Sequence, residues 1–122
     1  MNKVILTGNL THDIEVKATG NGKSVASGSI AVRREYKDPN GEYGTDFVNF
    51  VAWGYQADYL GQYARKGDRV EIVGRWQVRY YENDDGKKVR VDEVVIENVS
   101  VTLSRQKSEN IGALVQADDL PF

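Results

Sequence analysis

Alternating apolar and polar positions mark most of this chain, and the alternation has the two-residue period of strands. The pattern predicts strands over Val4–Leu10, Val25–Tyr36, Phe47–Trp53, Val70–Glu82 and Val89–Leu103. Between them stand turn-forming clusters: Gly20-Asn21-Gly22, Asp38-Pro39-Asn40-Gly41 and Asn83-Asp84-Asp85-Gly86. Only Gln56–Arg65 changes period, with Ala57, Leu60 and Ala64 at helical spacing. Arg65 and Lys66 fall in that helix's last turn and Gly67 just beyond, where a helix end favours cations and then glycine. The order is three strands, a short helix, then two strands. This is an all-β chain, and a five-stranded OB-fold barrel with its one short helix between strands 3 and 4 fits the order. A small sandwich shares the pattern, so periodicity alone leaves both open.

Two strands carry more than a fold signal. In Val70–Tyr81 the even positions Val70, Ile72, Trp76, Val78 and Tyr80 are apolar, which predicts a core face and assigns Trp76 to packing. The odd positions Arg75, Gln77, Arg79 and Tyr81 offer cations, an amide and a ring to the other side. In Phe47–Trp53 both faces are apolar: Val48, Phe50 and Ala52 on one, Phe47, Val51 and Trp53 with Asn49 on the other. A strand that meets water on one side has no packing reason to display Phe and Trp there.

Charge sharpens this picture. The net charge of −2 over 122 residues argues against a uniformly basic surface, but the charges are segregated. Between Arg65 and Arg90 eight bases face five acids, whereas the last fifteen residues hold three acids and no base. A locally basic stretch and an acidic end suit a local anionic partner. The chain has no cysteine, which excludes disulfides and thiolate metal sites, and its apolar opening run is too short for a secretory core or a membrane span. A soluble protein of a reducing cytoplasm is the expectation.

Single-stranded nucleic acid asks for cations at its phosphates and flat side chains beneath its bases, each stacked base being worth roughly 1–3 kcal/mol. Tyr36, Phe47, Trp53 and Tyr81, interleaved with Arg33, Arg34, Arg75 and Arg79, supply both. Rings beside arginines also occur in second cores and subunit interfaces, so the residues by themselves leave that alternative standing. Tyr59 and Tyr63 are assigned to the contact between helix and barrel. His12, the only histidine, has no partner at catalytic or ligating spacing, and Asp84-Asp85 reads as turn chemistry. There is no phosphate loop, Ser/His/Asp set or zinc spacing, so neither an enzyme nor a cofactor is expected.

Residues 104–117 are small and polar without a sustained period, which predicts a disordered linker. Asp118-Asp119-Leu120-Pro121-Phe122 then places an apolar knob beside a carboxylate, a shape that suits a pocket with a hydrophobic hole and a basic rim.

Asn2-Lys3-Val4-Ile5-Leu6-Thr7-Gly8-Asn9-Leu10 resembles the opening strand of the bacterial single-stranded DNA-binding proteins, and Asp13-Ile14-Glu15 their Asp-Pro-Glu, with isoleucine in place of proline. Tyr63-Ala64-Arg65-Lys66-Gly67-Asp68 and Val70-Glu71-Ile72-Val73-Gly74 are similar to that family's helix end and following strand, and Asp118–Phe122 to its acidic tip. The resemblance implies an OB domain over 1–103 that wraps single strands as a homotetramer, a linker over 104–117, and a tip over 118–122 that recruits replication, recombination and repair proteins. By position it places stacking on Tyr36, Phe47, Trp53 and Tyr81. It places Asn49 on the DNA side and phosphate-contacting cations or their neighbours on Arg65, Lys66, Arg75 and Arg79, to which the interleaving with rings adds Arg33 and Arg34 as phosphate contacts. Tyr36 shares parity with Ile30 and Val32, so a bulge or bend is needed to bring it to the DNA side. The linker is shorter than is common in the family, which fits a phage-encoded or secondary cellular member.

Overall fold

A computed structural model describes residues 1–102; the predicted linker over 104–117 and the tip over 118–122 lie outside the described residues. The elements are β1 (Val4–Leu10), β2 (Glu15–Ala18), β3 (Ser24–Lys37), β4 (Tyr43–Trp53), α1 (Tyr55–Tyr63), β5 (Arg69–Glu82) and β6 (Lys88–Thr102). The sheet runs β1-β5-β6-β4-β3-β2, and β1 also pairs with β3 through Asn9–Ala31 and Leu10–Ile30. That last pairing closes β1, β5, β6, β4 and β3 into a barrel, with α1 between its third and fourth strands. The fold is the OB barrel and not a sandwich. The extra strand β2 follows β1 along the same edge of β3, Glu15 facing Ser27 and Ala18 facing Ser24. Four residues give too little alternation to announce a strand, which is why the sequence pattern passes over it.

The core is the inward-facing set that the periodicity picks out. Ile30, Phe50, Ala52, Leu60, Val70, Ile72 and Val94 are buried, with Val4, Leu6, Val99 and Val101 packed around them. Gly28 makes room for the Phe50 ring, since a Cβ there would stand 2.5 Å from Phe50 Cζ. In β6 the inward parity changes from Val94 and Ile96 to Val99 and Val101. Val73 faces Asn98 while Gly74 faces Ile96, so Glu97 is an extra residue and the strand bulges there.

Two local expectations need correction. Trp76 does not pack in the core: it keeps the inward parity of Val70 and Ile72 but is 43% exposed. The pairing of β1 with β5 ends at Val4–Gly74, so Trp76 lies past the barrel's rim on a two-stranded ribbon. There the Asn2 side chain takes the place of β1, accepting from the Trp76 N–H and donating to its carbonyl, each at 2.8 Å. The helix also stops earlier than its charge pattern suggests. Ala64 is already extended, and no base lies in the last turn. Asp68 Oδ2 accepts from the Arg65 N–H at 3.0 Å and Asp13 Oδ1 from the Lys66 N–H at 2.7 Å, drawing this backbone into a turn. Gly67, with φ +90°, belongs to that turn, a left-handed conformation that glycine adopts without strain. Tyr59 does join helix to barrel, its hydroxyl accepting from the Val101 N–H at 3.1 Å. Tyr63 instead remains exposed beside the Tyr59 ring, 5.2 Å between centroids.

Candidate nucleic-acid interface

Strand register assembles a second face outside the barrel. Residues opposite one another on neighbouring strands point to the same side of a sheet. In β3 and β4, Val25 faces Trp53, Ser29 faces Asn49, Ala31 faces Phe47 and Arg33 faces Thr45. Val51 of β4 faces Val95 of β6, and Val95 faces Arg75 of β5. Continuing outward, Gln77 meets Glu93, Arg79 meets Val91 and Tyr81 meets Val89. One outer surface across β3, β4, β6 and β5 therefore carries Arg33, Phe47, Asn49, Trp53, Arg75, Arg79 and Tyr81. Phe47 is 69% and Trp53 46% exposed, so neither ring is sequestered by the described residues.

The other expected residues stand elsewhere. Pairing of β3 with β4 shifts between Arg33 and Lys37, where Arg33 faces Thr45 but Lys37 faces Tyr43. Tyr36, 63% exposed, falls within this irregular stretch. Arg34 itself grips Asp46, Nη2 to Oδ1 at 2.7 Å and Nε to Oδ2 at 3.1 Å. Arg65 and Lys66 are exposed in the α1–β5 turn, at the opposite end of β5 from Tyr81. Sequence reasoning missed Tyr43 and Lys37. The Arg33 guanidinium lies 3.8 Å from the Tyr43 ring centroid and the Lys37 ammonium 5.7 Å from it, so this ring and these cations form one cluster. Their signal was the loop at Asp38-Pro39-Asn40-Gly41, which makes its flanks adjacent. Asp38 Oδ1 accepts from the N–H groups of Asn40 and Glu42, fixing the turn.

Not every cation on this surface is uncompensated. Glu93, only 5% exposed, accepts from Arg79 Nε at 2.9 Å and from Gln77 Nε2 at 2.8 Å. Arg75 Nη1 makes one long contact, 3.4 Å, to the neutral amide oxygen of Gln77. The hydrogen bond from Arg34 holds the Asp46 carboxyl below its ordinary pKa, and the hydrogen bond to Asp92 raises that of Arg90. Arg33, Lys37 and Arg75 thus bring positive charge without an acidic partner among the described residues, whereas Arg34, Arg79 and Arg90 bring neutral pairs.

Where β4 and β6 diverge beyond their short parallel pairing, a cleft of about 620 Å³ opens. Its lining is Phe47, Val48, Asn49, Trp76, Arg90, Val91 and Asp92. Another hollow, about 300 Å³, lies at the ribbon tip against Tyr80, Tyr81 and Lys88. Both are shallow surfaces between strands, flanked by rings.

A sequence model described as the Single-strand binding protein family matches residues 1–102, the whole of the described structure. The chain belongs to this family. It is 43% identical over 112 residues to the single-stranded DNA-binding protein of Enterococcus faecalis, covering 92% of this chain and 60% of that protein. The corresponding protein of Streptococcus mutans is 42% identical over 109 residues, covering 89% of this chain and 66% of that one. Single-stranded DNA-binding protein 3 of Streptococcus agalactiae is 41% identical over 137 residues, covering 100% and 99%. The chain thus spans about 60–66% of the length of the first two relatives and nearly all of the third. Among the described residues no helix is long and apolar enough to cross a membrane.

Proposed function

We propose that this chain binds and protects single-stranded DNA with little sequence specificity, stacking bases on rings of the outer face and contacting phosphates with its arginines. The observation that carries this is the register that puts Phe47, Trp53 and Tyr81 on one surface with Arg33, Arg75 and Arg79. Aromatic faces accept any base, and interleaved cations follow the backbone between them. Tyr43 with Lys37, and Asn49 at the centre, extend the same surface. Tyr36, Arg34, Arg65 and Lys66 lie along the flanks, where a strand that wraps the barrel would reach them.

The names of the relatives and the family match support the same reading. So does the acidic end: Asp118 and Asp119 are repelled by phosphates, which reserves Leu120, Pro121 and Phe122 for basic pockets on replication, recombination and repair proteins. Assembly as a homotetramer fits the open edge of β1. Residues 4–8 pair with β5 alone, which leaves their other backbone edge open for a twofold strand pairing between copies, with Ile5, 75% exposed, as an apolar side chain beside it. The working compartment is a bacterial cytoplasm or nucleoid, or a host cytoplasm for a phage-encoded chain.

Titration with labelled oligo(dT), oligo(U) and duplex DNA at two salt concentrations tests the core of the proposal. Oligo(dT) is expected to bind most tightly, with affinity falling as salt rises. Equal affinity for the duplex would overturn it. Deleting residues 118–122 is expected to abolish capture of partner enzymes and to leave oligo(dT) affinity equal or slightly higher. Light scattering that returns the mass of a single 13.7 kDa chain at micromolar concentration would remove the tetramer.

A further inference from the structure

Trp76 is the residue whose surroundings the packing of the barrel does not account for. It keeps the inward parity of β5 yet lies beyond the rim, nearly half exposed, on the wall of the cleft between β4 and β6. With Val78 and Tyr80 exposed on the same face and Phe47 across the cleft, it belongs to a group of exposed apolar side chains, the kind of surface that marks a binding contact. Its backbone is fixed on both sides, by Asn2 and by pairing with Val94, so the ring is carried on a rigid element.

The cleft's chemistry selects its occupant. Phe47 and Trp76 are both rings with exposed faces, and Val48 and Val91 add aliphatic wall. Its only charges are Arg90 and Asp92, joined to each other at 2.7 Å. A phosphate entering here would meet a carboxylate and a guanidinium already paired with it, so the backbone is disfavoured and a neutral, flat group is favoured. Asn49 supplies an amide, both donor and acceptor, for the polar edge such a group carries. The volume falls within the range of about 300–1,000 Å³ usual for small-ligand sites. We propose that Trp76 is a further stacking residue, which receives a nucleobase of the bound strand in the cleft it shares with Phe47. This inference rests on the single-strand-binding reading above. It adds an inward-parity platform at the rim to the rings of the outer face.

The chain has two tryptophans, Trp53 and Trp76, so single substitutions separate their signals. In Trp53→Phe all tryptophan emission comes from Trp76, and in Trp76→Phe from Trp53. Binding is followed independently by the anisotropy of end-labelled oligo(dT). Oligo(dT) is expected to quench emission in both variants. Trp76→Leu, which keeps an apolar side chain without a flat ring, is expected to lose about five- to a hundredfold in affinity with its thermal midpoint preserved. Oligonucleotides carrying 5-iodouracil are expected to cross-link to the peptide containing Trp76. If Trp53→Phe binds by anisotropy while Trp76 emission is unmoved and no cross-link forms there, Trp76 lies off the strand and the inference falls alone. A Trp76 shielded from acrylamide in the free protein and silent to oligo(dT) would place it between copies of the chain instead. Absence of binding by the parent protein is a different failure, that of the reading beneath.

Discussion

β5 passes through two environments, and they treat the same side-chain pattern in opposite ways. From Arg69 to Gly74 it lies between β1 and β6, and Val70 and Ile72 are buried in the barrel core. From Arg75 to Glu82 it has β6 alone, and Trp76, Val78 and Tyr80, on the same face, all meet solvent. Within the barrel, apolar alternation is explained by folding. On the ribbon no packing among the described residues explains it, and the rings there are open to a partner. Stability and the ribbon's share of binding are therefore expected to reside in different halves of β5.

Core truncation sharpens that division most strongly. Phe50→Ala is expected to cost about 3–5 kcal/mol and Ile72→Ala about 2–5 kcal/mol, because each leaves a cavity in a closed barrel. Denaturant unfolding monitored by circular dichroism measures both. Tyr81→Ala, at the far end of the same strand, is expected to lose less than half as much stability as either. A comparable loss would mean that the ribbon is part of the folding core.

Binding is expected to show the converse. Trp53→Ala should weaken oligo(dT) binding by roughly 1–3 kcal/mol, and Phe47→Ala by a similar amount, with the fold retained. Anisotropy titration beside a thermal melt gives both quantities on one sample. A folded Trp53→Ala protein that binds like the parent would assign that ring to a contact between chains.

The two halves also differed in how much of them could be read from the sequence. Strand existence, helix position and core residues such as Ile30, Phe50 and Val70 follow from periodicity, because a closed barrel imposes one buried face. Phe47, Asn49 and Trp53 were legible for the same reason, standing on the face the core does not use. Trp76 was misread because parity tells which face a residue occupies and not where along the strand its covering neighbour ends. That limit depends on the termination of β1 pairing at Val4–Gly74, a long-range fact. The pairing of Arg79 with Glu93 and of Arg34 with Asp46 was hidden similarly, since both join residues of different strands. Tyr43 joined its cations only through the β3–β4 shift.

Those ion pairs predict unequal arginines on the outer face. Each phosphate neutralised on a single strand contributes about 0.7 to the slope of log affinity against log salt. Arg75→Ala is expected to make that slope shallower by up to about 0.7, and Arg79→Ala by less, because Glu93 already offsets Arg79. Glu93→Gln, which releases Arg79, is expected to steepen it. Equal changes for the two arginines would mean that Glu93 and Arg79 part when the strand arrives.

The smallest expected effect concerns the β3–β4 arm, where Arg34 and Asp46 form an exposed pair. The hydrogen bond from Arg34 holds the Asp46 carboxyl below its ordinary pKa, burial opposing only in part. A folded-state value below the unfolded one means that the pair's contribution to stability is present above the unfolded pKa. It is lost as pH falls through the lower, folded value. At neutral pH the carboxylate is therefore ionised and Arg34 offers a strand little net charge. Asp46→Asn keeps an oxygen acceptor but removes the charge, so the slope against salt is expected to steepen by a fraction of about 0.7, most visibly at low ionic strength. The difference between parent and variant is expected to shrink as pH falls through the depressed Asp46 value, where the parent's carboxyl also becomes neutral. Matched salt titrations of the two proteins at neutral and acid pH make the measurement. Identical slopes at neutral pH would show that Arg34 does not reach the strand, leaving Arg33, Lys37 and Tyr43 as the arm's contacts.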